Sequence, residues 1–220
     1  MTSDTRLAEM LATRLCHDLT GPIGAVNNGA EFLDEEGFDM QNEAIQLILS
    51  SAHEAVNRLQ FYRQAYGRVG DAGEACLADK KKIASDFFSG TKVKLDWPDS
   101  HTDAAGVPLS QKMSRLLLNL MIIAGSSLIR GGTLSVRLQL TDTGDKQLQF
   151  VATGETVKFD GETAAILGGR DDVPLSPKSA QPYLTMMLAE ELGATLQCEV
   201  SGDALNIVAT QRQLAMASAS

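Results

Sequence analysis

Apolar residues recur in steps of three and four through the first part of the chain: Leu7, Leu11, Leu15, Leu19, Ile23, Val26, Ala30 and Leu33. That spacing marks one face of a long amphipathic helix. A second run follows at the same spacing, with Ile45, Ile48, Leu49, Ala52, Val56, Leu59 and Tyr66. Between the runs lies Asp34-Glu35-Glu36-Gly37-Phe38-Asp39. A glycine after an acidic last turn ends one helix, and Asp39 can cap the next. Residues 5–66 are thus predicted as a helical hairpin. Two helices alone bury two apolar faces poorly, whereas two hairpins close into a four-helix bundle. A homodimer built through this region is the expectation.

After the Gly-rich stretch 67–73, a plausible linker, the pattern changes. Helical patterning is predicted over about 78–88, 109–129 and 182–192. Strand patterning is predicted over 93–97, 133–141, 146–153, 195–200 and 204–210, with Gly144-Asp145 as hairpin-turn chemistry between two of them. The fold class is α+β, with helices packed on one face of a sheet. The chain divides into a hairpin over 1–70 and a second domain over 74–213, and residues 215–220 read as a frayed tail.

Composition narrows the functional classes. With 220 residues and 44% hydrophobic residues, a packed core is feasible. A net charge of −9 argues against nucleic acid, because phosphate binding needs a basic patch. The basic cluster Lys80-Lys81-Lys82 reads as the wet side of a helix start. No apolar run is long enough for a membrane span, and the polar N-terminus is unlike a signal peptide. Cys16, Cys76 and Cys198 are scattered, without zinc spacing, and suit a reducing cytoplasm. Cys16 reads as a small residue flanking the core, and His53 as an ordinary helix residue.

The candidate chemistry sits in Arg14-Leu15-Cys16-His17-Asp18-Leu19-Thr20-Gly21-Pro22-Ile23. At roughly 100° per residue, His17 lies about 160° from Leu19 and faces away from the apolar stripe. An exposed imidazole beside a carboxylate can act as a nucleophile, because Asp18 can orient one ring nitrogen and leave the other free. Pro22 removes a backbone donor to the Asp18 carbonyl and tends to kink the helix. Arg14, three residues before His17, can pair with a phosphoryl group or a carboxylate.

This run resembles the phospho-accepting H-box of two-component histidine kinases: His, then Glu or Asp, an aliphatic residue, two variable residues, then Pro and an aliphatic. The order of elements after it resembles the kinases' ATP-binding domain, the Bergerat or GHKL fold. Its nucleotide motifs are degenerate here. Asn119 matches the first of two asparagines, but Ile123 stands at the magnesium-binding position, where an aliphatic side chain cannot ligate a hard cation. Ala152 stands where an aspartate would read adenine, followed by Gly154 and by Thr156 in place of a second glycine. The phosphate-cradling Gly-rich run is replaced by Ser179-Ala180-Gln181-Pro182-Tyr183-Leu184, and the nearby Gly168-Gly169 reads as a turn.

A phospho-acceptor hairpin joined to a degenerate GHKL-like domain resembles the ChpT-type histidine phosphotransferases of alphaproteobacteria. The resemblance implies a dimeric four-helix bundle followed by a degenerate Bergerat/GHKL-like α/β sandwich. It implies that His17 takes phosphate from the receiver aspartate of a hybrid histidine kinase (CckA-like) and passes it to response regulators (CtrA- and CpdR-like). Asp18 then holds the imidazole tautomer and accepts or returns its proton. Arg14, Thr20, Asn27 and Asn28 are candidates for partner contact. No cofactor and no ATP binding are expected, and magnesium comes with the partner's receiver domain. Kinases that also dephosphorylate their regulators carry Thr or Asn where Gly21 stands, so phosphatase activity is not implied. The competing expectations are an ATP-dependent histidine kinase and a non-catalytic dimeric adaptor that docks receivers.

Overall fold

Two heptad-spaced rows run side by side on the second helix, and their different fates organise the hairpin. In a computed structural model describing residues 3–35, 41–67, 73–98 and 109–213, α1 (Ser3–Glu35) and α2 (Gln41–Tyr66) pack against each other as antiparallel helices. The break expected at Gly37, the cap at Asp39, most of the linker and the tail lie outside the described residues. The row of α2 that meets the rest of the chain runs through Ala44, Ser51, Tyr62 and Ala65, all buried. The missing side chain of Gly29 permits close approach of α1 to α2. A β-carbon on Gly29 of α1 would come within 2.7 Å of Ile48 Cγ1.

In the single chain the row of α2 expected to pack in a bundle stays open: Ile45, Leu49, Val56 and Leu59 are 41%, 49%, 49% and 53% exposed. On α1, Ile23 is 56% exposed and Ala30 is also exposed, while Pro22 and Gly29 are buried in their place. Repeated steps of four rotate about 40° past a full turn each time, so the contact line leaves the Leu7–Leu19 row. Cys16, expected beside the core, is exposed. The helix continues through Pro22 without interruption, and the Asp18 carbonyl that loses its helical donor lies 3.4 Å from Arg58 Nη1.

The second half follows the predicted order: α3 (Leu77–Ser89), β1 (Val93–Asp96), α4 (Gln111–Ser126), β2 (Gly132–Leu140), β3 (Lys146–Thr153), α5 (Gly161–Leu167), α6 (Ala180–Glu191), β4 (Ala194–Ser201) and β5 (Ala204–Gln211). Only α5 was not foreseen; it is short and begins where the Asp160 carboxylate accepts from the Thr163 amide. Among the described residues five strands form one sheet ordered β1-β2-β3-β5-β4, with β1 parallel to β2 and the other pairs antiparallel. Register stacks Leu134, Ala152 and Leu205 in one row, Val136, Phe150 and Ile207 in the next, and Leu138, Leu148 and Ala209 in a third. All nine are buried and form the face covered by helices. Helix α4 is buried nearly all round, because the sheet takes one side and other helices the rest.

The core does not stop at the expected domain boundary. Phe61, Tyr62 and Ala65 of α2 belong to the same buried cluster as α4 and the sheet, and Phe61 stacks on Phe87 of α3 at 4.1 Å between centroids. Lys80, predicted on a wet surface, is buried beside this seam and donates to Gln64 Oε1 at 2.6 Å. Burial pushes its ammonium below the usual lysine range.

Candidate functional site

Midway along α1, a turn of helix presents His17 to water while α2 closes on the side chain next to it. The imidazole is 88% exposed, whereas the adjacent Asp18 side chain is only 21% exposed. His17 Nδ1 lies 3.3 Å from Asp18 Oδ1. A carboxylate at that nitrogen favours the Nδ1–H tautomer and leaves the Nε2 lone pair facing solvent. The other carboxylate oxygen, Oδ2, accepts a hydrogen bond from the Tyr62 hydroxyl at 2.7 Å. Arg14 Nε approaches Oδ2 at 3.8 Å, a charge contact rather than a hydrogen bond. Arg58 is held by Glu54, with Nε donating to Oε1 at 2.9 Å and Nη2 at 2.7 Å.

Beside His17 runs an open groove of about 320 Å³ between the helices, floored by Pro22 and Ser51 and flanked by Glu54 and Arg58. Among the described residues nothing lies within 4 Å of where a β-carbon on Gly21 or Gly24 would stand, so those two positions leave open space just past His17. A partner surface can therefore reach Nε2 without meeting side chains from those positions.

The structure brings Arg14, His17 and Asp18 together. Thr20 is exposed nearby, but its hydroxyl donates to the Cys16 carbonyl at 2.8 Å. Asn27 and Asn28 are exposed about 15 Å and more along the axis from His17. Asn27 donates to Glu31 Oε1 at 2.7 Å. Tyr62 and Arg58 were not anticipated as site residues. Tyr62 follows His17 by 45 positions, and no local spacing ties the two together.

Tyr62 is buried and stacks on Tyr66 at 5.3 Å with an interplanar angle of 7°. Burial, reinforced by the Asp18 carboxylate, drives the Tyr62 phenol far above the ordinary tyrosine range, so it remains a donor. Burial also pushes Tyr66 up to about 12. The Tyr66 hydroxyl donates to Gln181 Oε1 at 2.6 Å, and Gln181 Nε2 donates to Asn119 Oδ1 at 2.7 Å. Asn119 Nδ2 donates in turn to the Ala65 and Arg115 carbonyls at 2.8 and 2.7 Å.

Residues 77–204 match the family model of the histidine phosphotransferase C-terminal domain. Over 199 residues the chain is 35% identical to the protein phosphotransferase ChpT of Brucella abortus (strain 2308), covering 90% of this chain and 91% of that one. The chain belongs to the histidine phosphotransferase family. The solved structure of a bacterial phosphotransferase superposes with a TM-score of 0.81 at 33% identity, covering 95% of this chain and 98% of that one. The α+β architecture and the assignment to phosphotransfer chemistry therefore agree with the relatives.

In this histidine phosphotransferase, the residues that the sequence compares with nucleotide-binding positions have packing roles. Ala152 is wholly buried between Leu134 and Leu205, and Asn119 and Gln181 are buried in the hydrogen-bonded chain just described. Ile123 lines a cleft of about 310 Å³ shared with Arg14, Lys158, Asp160 and Lys178. Lys178 Nζ sits 3.3 Å from Asp160 Oδ1. Among the described residues no group of three or more His, Cys, Asp or Glu side chains is arranged to hold a metal ion, and no helix is long and apolar enough to cross a membrane.

Proposed function

We propose that this protein relays phosphoryl groups between receiver domains through His17 in a two-component phosphorelay, without ATP. The observation that carries this reading is the exposed imidazole with Nδ1 on Asp18 and Nε2 open to solvent. His17 Nε2 attacks the phosphorus of a phosphoaspartate on a hybrid kinase's receiver. The N–P bond forms as the aspartyl O–P bond breaks, and the partner's carboxylate is released. The Nδ1 proton stays on the ring against Asp18 Oδ1, which balances the positive charge of the phosphorylated imidazole. In the second step the carboxylate of a response regulator attacks phosphorus, the N–P bond breaks, and His17 leaves as the neutral Nδ1–H imidazole.

CckA-like donors and CtrA- and CpdR-like acceptors are the partners proposed from the family resemblance, with their own magnesium. Arg14 is positioned to offset phosphoryl charge. Ile123 and the buried Ala152 supply neither a magnesium ligand nor an adenine contact, which supports ATP independence. We propose further that the protein is a homodimer. The exposed row Ile45, Leu49, Val56 and Leu59 has the four-and-three spacing of a helix-bundle seam, and Ile23 adds to the exposed apolar surface of the same hairpin.

The test is transfer of labelled phosphate to the purified protein. Label is expected with a hybrid kinase and its receiver present, and none with labelled Mg-ATP alone. His17→Ala abolishes it, and Asp18→Ala slows it by roughly 10²-fold. Label persisting on His17→Ala, or arising from ATP alone, overturns the reading.

A further inference from the structure

The geometry points to Tyr62 as a positioning residue for His17: its hydroxyl, held in place by the second half of the chain, fixes the Asp18 carboxylate so that Oδ1 stays on His17 Nδ1. The inference rests on the phosphotransfer reading of His17.

Adjacent helical residues diverge by roughly 100° and do not naturally face each other, whereas residues four apart do. Asp18 is therefore poised by the helix to turn toward Arg14, its partner four residues back, rather than toward His17. Arg14 Nε is already within 3.8 Å of Oδ2. The Tyr62 hydroxyl is closer, at 2.7 Å, and comes from α2, across the hairpin. It anchors Oδ2 on the buried side and leaves Oδ1 as the oxygen that reaches the imidazole at 3.3 Å.

Tyr62 is itself immobilised from the second half. Its ring stacks on Tyr66 and meets Phe87 edge-on at 5.8 Å. Tyr66 is tied through Gln181 to Asn119 by bonds of 2.6 and 2.7 Å. Asn119 then holds the Ala65 carbonyl of α2 at 2.8 Å. Two positions that match a nucleotide site by sequence thus serve to hold the last turns of α2, and with them the tyrosine that faces Asp18.

Tyr62→Phe keeps the ring, its stacking and its burial and removes one hydroxyl. It is expected to slow phosphotransfer by about 10- to 100-fold, the effect of losing a hydrogen bond to a charged group. Nitrogen NMR of the His17 imidazole in the unphosphorylated protein should show a smaller share of the Nδ1–H tautomer than in wild type. The double variant Asp18→Ala/Tyr62→Phe should transfer at the rate of Asp18→Ala alone, because Tyr62 acts through Asp18.

An unchanged rate in Tyr62→Phe overturns the inference. So does a slower rate with an unchanged tautomer ratio, or an equal fold-loss in the Asp18→Ala background. If Tyr62→Phe unfolds, Tyr66→Phe, which frees Gln181 but spares the Tyr62 hydroxyl, serves in its place and must give a partial tautomer change. Failure of the phosphotransfer reading registers separately, as label retained by His17→Ala.

Discussion

Replacing Asn119 with alanine tests whether this residue holds the two halves together. Asn119 is wholly buried and makes three side-chain hydrogen bonds: to the Ala65 and Arg115 carbonyls, and from Gln181 Nε2. Truncation leaves the Gln181 amide and the Ala65 carbonyl without these partners in a site that excludes water. Each orphaned buried group costs about 1–3 kcal/mol. Two of them give a loss of about 4 kcal/mol, a large share of the ~5–15 kcal/mol that holds a domain folded. At about 2–4 °C per kcal/mol for a chain of this length, Tm should fall by about 8–16 °C. The assay is urea unfolding followed by circular dichroism, read as a lower midpoint at unchanged slope, with a thermal scan beside it. Asn119→Ala combined with Gln181→Met should cost less than the sum of the two single losses, because the Gln181 amide that Asn119→Ala strands is already gone, while the Tyr66 hydroxyl loses its acceptor in Gln181→Met with or without Asn119→Ala. A loss below about 1 kcal/mol, or double-variant losses that simply add, would refute the argument that this network braces α2.

Two further outcomes are expected. Leu49→Asp with Val56→Asp should give a monomer by sedimentation velocity where wild type gives a dimer, with helical content unchanged, since both side chains are half exposed in the single chain; a monomeric wild type would remove the bundle from the picture. At pH 8, Ellman's reagent should modify the exposed Cys16 and Cys76 quickly and Cys198 slowly, because burial pushes the Cys198 thiol up to about 11. The sign of the linkage follows: the unfolded thiol ionises first, so the Cys198 contribution to stability declines as pH rises above its unfolded value of about 8.5. Equal labelling rates at all three cysteines would contradict this.

Much of the fold was legible because its signals are local. Alternation over 146–153 and the three-and-four steps of α1 each imply one element. Helix α5 was missed because seven residues are too few to carry a period. The row of α2 that carries Ile45, Leu49, Val56 and Leu59 was legible from its spacing, whereas the burial of Ala44, Ser51, Tyr62 and Ala65 was not, because it depends on what α1 and the second half bring against the helix. At the candidate site, the pairing of His17 with Asp18 was legible because the two are adjacent in the chain. Tyr62, Arg58 and the Tyr66–Gln181–Asn119 chain were not, because their partners lie 40 to 115 positions apart.

What the sequence determined by itself is therefore every described element but α5, the exposed histidine beside its acid, and the aliphatic identity of Ile123 and Ala152. These depend on residue identity and short-range spacing, which any extended reading of the chain preserves. The tertiary structure decided which row of α2 is buried, which oxygen of Asp18 is occupied, and what Asn119 and Gln181 do. Those outcomes depend on which side chains meet across the hairpin and the core. A buried hydrogen-bonding group must find its partner wherever the fold brings one.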